Sequence, residues 1–300
     1  MNTKITDIAG QEALTQEYDL GRERSEETQY YIGQYEVSMH ASNGRLKRVD
    51  NYKLHLMVEP GDRSAGEADK YTCVRFSVQM NGGPEVTIPS LAGWTYDFSM
   101  EMLTDEGVDA QGLMWGIPHE KFEGLRDSAG ENVSIEAQYQ VYSAFQYFHS
   151  WCNGLGEKDV QDLKKVGDKT VTDDSAIESP VNLGATFLDG SVFKHGVSTR
   201  DFKGLSIVDG ATCALVSFDE RGGGYVMLMQ PMPLLRVKTV GGTYYGGDLY
   251  IDLESLWVKK VTVSVTDITT TTMFGIPVAI AVLVTTQTIK SVSKAEFDQD

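Results

Sequence analysis

From Tyr30 onward the chain reads as a series of alternating runs, most of them stopping at residues suited to a tight turn. Val261, Val263 and Val265 face one way while Thr262, Ser264 and Thr266 face the other, the period of a strand with one buried face. Asn43-Gly44, Asp189-Gly190 and Asp209-Gly210 mark hairpins, because the favoured tight turns place both central residues at positive φ. Gly222-Gly223-Gly224, Gly241-Gly242 and Gly246-Gly247 lie between apparent strands and read as further turns. Phe274-Gly275-Ile276-Pro277 turns the two long closing strands. Such a pattern predicts a mainly β fold, an antiparallel curved sheet or barrel of the lipocalin-like kind.

One segment departs from this pattern. Residues 134–152, SIEAQYQVYSAFQYFHSWC, predict a long aromatic helix. Asn132 or Ser134 supplies the N-cap, Glu136 suits the first turn, and Asn153-Gly154 reads as the stop. Ile135, Gln138, Tyr142, Phe145, His149 and Cys152 fall along one stripe, which Tyr139, Phe148 and Trp151 broaden. A stripe that wide is buried on more than one side. It either packs a core or walls a β-lined cavity.

Around this helix the chain divides into an N-terminal arm with a short helix (1–29, with Ile5, Ile8, Ala9 and Leu14 at helical spacing), a first β half (30–152), a polar linker (153–180) and a second β half (181–300). Lys158 to Val166 within the linker has the spacing of a surface helix. The stretch T-C-V-R-F-S-V-Q-M-N-G-G from Thr72 shares Thr, Cys, Ser and Gly-Gly at matching offsets with T-C-A-L-V-S-F-D-E-R-G-G from Thr212. The match is compatible with two β halves of common design, in one domain or two, although the narrow alphabet of strands accounts for it better.

The net charge of −17 repels phosphate backbones, so nucleic acid is not an expected partner. The longest apolar run, Ile276 to Val284, is far short of the ~20 residues of a spanning helix, so no membrane span is expected. Three cysteines do not make a disulfide framework, and the N-terminal stretch lacks an apolar signal core. A cytoplasmic location is expected, with a secreted or periplasmic one left open should a leader have been removed.

His149, set among aromatic rings, is the leading candidate acid or base, with Tyr142 polarising a substrate oxygen. Tyr139, Phe145, Trp115, Trp151 and His119 are the candidate binding residues. Cys152 sits where a helix dipole disfavours a thiolate. His119-Glu120 opens like a zinc-binding helix motif, but position 123 is Glu and no histidine follows at the required offset, so no metal site is expected. Asp248, Tyr250, Asp252 and Glu254 share one strand face, either lining an interior or facing water. No phosphate-binding loop and no nucleophile elbow occur, and no cofactor is expected. The residues point to binding of a hydrophobic, aromatic small molecule, with a cofactor-independent lyase or isomerase favoured. The alternatives are a non-catalytic lipocalin-like carrier and an interaction module that pairs its sheet edges. Assembly into a homo-oligomer is left open.

Overall fold

The computed structural model describes residues 12–104, 108–110, 113–173, 177–178, 187–232 and 235–300. The predicted helical positions Ile5, Ile8 and Ala9, part of the turn after Thr104 and the strand residues 185–186 lie outside them. Of the N-terminal arm, a single helical turn is described, α1 (Glu12–Thr15). Five strands follow: β1 (Gln29–Ala41), β2 (Leu46–Glu59), β3 (Asp69–Met80), β4 (Glu85–Thr87) and β5 (Trp94–Phe98). Then come the long helix α2 (Ile135–His149) and the strands β6 (Lys169–Asp173), β7 (Ile177–Glu178), β8 (Val192–Lys194) and β9 (Val197–Val208). Four long strands, β10 (Ala211–Met232), β11 (Leu235–Asp252), β12 (Val258–Met273) and β13 (Ile276–Val292), precede a short helix α3 (Lys294–Gln299).

The thirteen strands of the described residues belong to one antiparallel sheet, which is not closed into a barrel. Its main order is β4-β3-β2-β1-β13-β12-β11-β10-β8-β7, with β5 also on β3, β9 also on β10, and β6 on β9. β1 pairs with β2 on one side and with β13 on the other, so the early and late strands meet in mid-sheet. α2 lies on the inner face. There Tyr35, Leu54, Leu56 and Phe76 pack beneath Val141, Phe145 and Phe148. Each aliphatic or Phe side chain so buried contributes roughly 1.5–3 kcal/mol. Tyr35 Oη donates to the Ala144 carbonyl at 3.0 Å and ties sheet to helix. On the outer face, Phe297 of α3 packs on the rings of Tyr30 and His55.

Local geometry departs from the sequence reading in instructive places. Asp209-Gly210 and Phe274-Gly275 do form two-residue turns with positive φ at both positions. At Asn43-Gly44 only Gly44 adopts positive φ, +78°. The triple glycine at 222–224 makes no turn: it sits at a bulge inside β10, where the register shifts between Glu220 and Gly223. Gly241 and Gly247 are likewise inside β11. A Cβ on Gly241 would lie 2.4 Å from Tyr225 Cζ, and one on Gly247 would lie 2.0 Å from the Thr262 carbonyl oxygen, so close approach explains the glycines. In β3, Val74, Phe76 and Val78 do not share a face. A bulge between His55 and Leu56 pairs leaves Val74 turned outward, 43% exposed, while Cys73 and Phe76 both point inward. Asp248 and Asp252 lie on the outer face, because their neighbours Leu249 and Ile251 are fully buried; Glu254 falls in the turn beyond β11.

The helix does not end at Asn153-Gly154. It continues as a π-helical segment, Ser150–Lys158. Lys158 to Val166 forms no surface helix; residues 159–162 are turn, and Val160 and Leu163 are buried anchors.

Candidate functional site

Ser134 caps α2, its side chain accepting from the Ala137 N–H at 3.2 Å. This sets the phase that drives Phe145, Phe148 and His149 into the core. His149 is 0% exposed, and its ring is surrounded by Tyr71, Tyr96, Phe98, Phe148 and Trp115. Both of its nitrogens are bonded: Nδ1 to Asn153 Nδ2 and Nε2 to Tyr96 Oη, each at 2.8 Å. The tautomer follows from the neighbours. Arg24, which can only donate, places Nη1 2.9 Å from Asn153 Oδ1. The amide nitrogen therefore faces His149, Nδ1 accepts, and the proton of the neutral ring sits on Nε2, donated to Tyr96. Burial lowers the His149 pKa to about 3. The imidazole is thus a neutral link in a buried relay running from Arg24 through Asn153 to Tyr96. Arg24 also donates to the Cys152 carbonyl, pairs with Glu157 at 3.1 Å and lies 4.6 Å over the Trp257 ring.

Tyr142 does not join His149; it packs edge-on against Phe122. Phe145 stacks on Phe76, and Tyr139 meets Phe187. Trp115, at φ +53°, lies beside Gly154, where a Cβ would fall 2.7 Å from its ring. His119, at the start of a short 3₁₀ turn, lies 3.6 Å from Glu120. Burial pushes the Cys152 thiol well above its usual range. Trp151 reaches the second half of the sheet. It donates to Gln287 Oε1 at 2.8 Å, stacks on Phe218 and meets Tyr245 edge-on.

Beyond Trp151 lies a constellation absent from the sequence reading. Glu220 is 2% exposed. It accepts from the Gly196 N–H at 3.0 Å, Ser198 Oγ at 3.2 Å and Tyr245 Oη at 2.5 Å, and His195 Nδ1 lies 3.5 Å away. Burial by itself raises its pKa, but donors from His195, Tyr245 and Gly196 outweigh it and hold the carboxyl at about 2. The bulge at 220–223 makes the room: a Cβ on Gly223 would lie 2.9 Å from Glu220 Oε1.

A second carboxyl has the opposite setting. Asp267 continues the inward phase of Val261, Val263 and Val265, and it pairs across β11 with Thr243, which pairs in turn with Gly223. Burial raises its pKa, opposed by a hydrogen bond from Thr243. Its charge also helps raise the phenols of Tyr147 and Tyr225 above their usual range, after burial as the main cause. Tyr225 stacks on Phe193, whose ring meets His195 at 5.0 Å. Phe193, His195, Tyr225, Tyr245, Asp267 and Tyr147 are all only partly buried. These rings gather on the inner face of the open sheet, with one fixed carboxylate and one raised carboxyl two strands apart, roughly 10 Å laterally. Glu220 was hidden because D-E-R-G-G-G reads as a turn. Asp267 was legible in the alternation of its own strand.

A separate polar cleft of about 340 Å³ lies on the outer face, lined by Gln34, Glu36, Asn51, Lys53, Gln79 and Thr286 among others. No helix among the described residues is long and apolar enough to cross a membrane.

No protein-family model matches the chain, and no curated protein matches it. Among solved structures, a DUF1329 family protein from Desulfovibrio piger ATCC 29098 aligns over 90% of each chain at 8% identity. Its TM-score is 0.15, and at that score the likeness carries no inference about fold or function.

Proposed function

We propose that this protein binds a planar, aromatic small molecule bearing a hydroxyl or carbonyl group, held against the inner face of β8, β10, β11 and β12 beside the flank of α2. One observation carries the reading: partly exposed rings and two oppositely tuned carboxyls share a single inner face. Tyr225 and Phe193 offer ring faces, and Asp267 and Thr243 offer the polar anchor. Calorimetric titration with 2-naphthol tests it. Saturable binding to the wild type is expected, weakened at least roughly tenfold in Tyr225→Ala and in Asp267→Asn, a loss of about 1.4 kcal/mol. Binding that both variants leave unchanged overturns the reading.

The pairing of His195 with Glu220 favours a second reading, in which the bound molecule also gains or loses a proton. A buried, ionised carboxylate 3.5 Å from Nδ1 orients the ring. Such a site serves a cofactor-independent isomerase or lyase. His195 takes the role first expected of His149, which is enclosed and held neutral. The test is exchange of the α-protons of 2-tetralone in heavy water, followed by NMR. Exchange above the buffer rate that disappears in His195→Asn supports catalysis; exchange at the buffer rate leaves the carrier.

A further inference from the structure

The polar cleft of about 340 Å³ on the outer face takes its lining from strand register. Thr288, Gln34, Lys53 and Ser77 pair in turn across β13, β1, β2 and β3. Two residues along, Thr286, Glu36, Asn51, Gln79 and Glu85 do the same from β13 to β4. Cross-strand partners share a face, so the pairs form two rows about 7 Å apart, the longer spanning roughly 19 Å. Tyr35 and Tyr52, which alternate with them, turn the other way and are buried in the core. Every side chain in the two rows ends in an amide, a hydroxyl, a carboxylate or an ammonium.

The rows lie in a recess. At one end α3 finishes on them: Asp300 receives Lys53 Nζ, and its main-chain oxygen accepts from Arg75 Nη2 at 2.6 Å. At the edge, Glu85 of β4 accepts from Ser77 Oγ at 2.5 Å. Asn51, Lys53 and Gln79 are half-buried, and Ser77 is buried, although all four belong to the outer face.

Hydrogen bonds fix how the amides present themselves. Gln79 Nε2 donates to the Gly83 carbonyl at 3.0 Å, and a carbonyl can only accept. Gln79 Oε1 therefore takes the bond from Asn51 Nδ2, at 3.3 Å. That leaves Asn51 Oδ1 as an acceptor, with the Glu36 carboxylate on the neighbouring strand. Gln34, Glu36, Thr286 and Thr288 make no side-chain hydrogen bond or ion pair among the described residues. The cleft thus offers open acceptors at Glu36 and Asn51 and open donors at Gln34, Thr286 and Thr288.

This inventory restricts the occupant. The one cation of the rows, Lys53, is held by Asp300, while Glu36, Glu85 and the net charge of −17 disfavour an anion. An ammonium group donates and cannot accept, so it leaves the donors unanswered. A hydroxyl does both, and a molecule with several of them answers acceptors and donors placed side by side. The volume lies at the small end of the roughly 300–1,000 Å³ of small-molecule sites.

We propose that the outer cleft binds an uncharged, polyhydroxylated ligand, a short saccharide lying across β13, β1, β2 and β3. Its hydroxyls donate to Glu36 and Asn51 Oδ1 and accept from Gln34, Thr286 and Thr288. The site is independent of the aromatic one on the inner face.

The test applies the full chain to a panel of immobilised neutral gluco-, manno-, galacto- and xylo-oligosaccharides, with sulfated and sialylated glycans beside them. Retention of one or more neutral glycans is expected, and calorimetric titration with the best retained then reads the variants. Glu36→Gln alters one exposed side chain and keeps its shape; the double variant Gln34→Ala, Asn51→Ala removes one donor and one acceptor. With unchanged far-ultraviolet spectra, each is expected to lose at least roughly tenfold in affinity, about 1.4 kcal/mol. Should the double variant fail to fold, Glu36→Gln decides alone. Retention of no neutral glycan, stronger retention of the sulfated or sialylated ones, or undiminished binding by the folded variants each overturns the proposal.

Discussion

Glu220 and His55 are buried titratable groups that both cost stability in acid, in different pH windows. Glu220 is held at about 2 by its donors, so its contribution is fully present above the ordinary carboxylate range and is lost as pH falls through about 2. Glu220→Gln keeps the shape and removes the charge. It is expected to lower stability by about 1–3 kcal/mol at pH 7, with the two proteins converging as pH approaches 2, measured by urea unfolding across pH. His55 is 2% exposed beneath Phe297, and neither ring nitrogen has a hydrogen-bond partner. Burial, then the charges of Arg75 and Lys53, lower its pKa to about 4, against an opposing pull from Asp300 and Glu85. The folded chain therefore refuses a proton that the unfolded chain accepts near 6.5, and stability falls as pH drops from about 6.5 towards 4. His55→Phe removes an unsatisfied polar ring at similar volume. Its melting temperature is expected to match or exceed that of the wild type at pH 7, and to decline less between pH 6.5 and 4; a larger decline refutes this account. His149, lowered to about 3, adds acid sensitivity that the variant retains.

Elements differ in how far their own residues determine them. α2 was legible from its apolar stripe, its Ser134 cap and its Glu136, all local signals. Its π-helical continuation was not, because Asn153-Gly154 carries the signature of a helix stop. What overrides that signature is tertiary: Asn153 is bonded to Arg24, Tyr71 and His149, and Gly154 lies beneath Trp115. Gly156 is equally constrained, since a Cβ there would fall 2.5 Å from Val258 Cγ2. Gly156→Ala is expected to cost about 1–3 kcal/mol in chemical denaturation, although alanine is the better helix former. A stabilised variant would show that the segment relaxes away from β12. The glycines of β10 and β11 follow the same logic. Their sequence reads as turns, yet Tyr225 over Gly241 and the bulge at Gly223 use the missing side chain for packing. Whether a glycine bends the chain or admits a neighbour depends on residues far away in sequence. The candidate site inherits this: Trp151 was recognised locally, while Glu220, His195 and Tyr225 meet only through strand pairing.

At the scale of the whole molecule, an open sheet leaves two inner territories. Under α2 the face is filled: Tyr35, Leu56, Phe76, Phe145 and Phe148 are at most 4% exposed. Past Trp151 the face is less covered, and Phe193, His195, Tyr225, Tyr245 and Asp267 there are only partly buried. Filling the uncovered part is a direct test of where ligands go. Gly241→Leu drives a side chain into the position of the Tyr225 ring, and it is expected to abolish 2-naphthol binding while costing about 1–3 kcal/mol of stability. Undiminished affinity in a folded Gly241→Leu would place the ligand elsewhere, with the outer polar cleft next in line.

The junction of β1 with β13 has a consequence for how this chain comes to be folded. Tyr35 pairs with Gln287, so the strand at the middle of the sheet receives one of its partners only after every other strand of the sheet has been made. Until then β1 carries an open edge, backed by the apolar inner faces of β2 and β3. Pairings between such distant segments are slow to close, and a nascent chain in that condition is a substrate for holding chaperones and a hazard for aggregation. The emergence of β13, rather than of any earlier strand, sets the moment at which this sheet can complete itself.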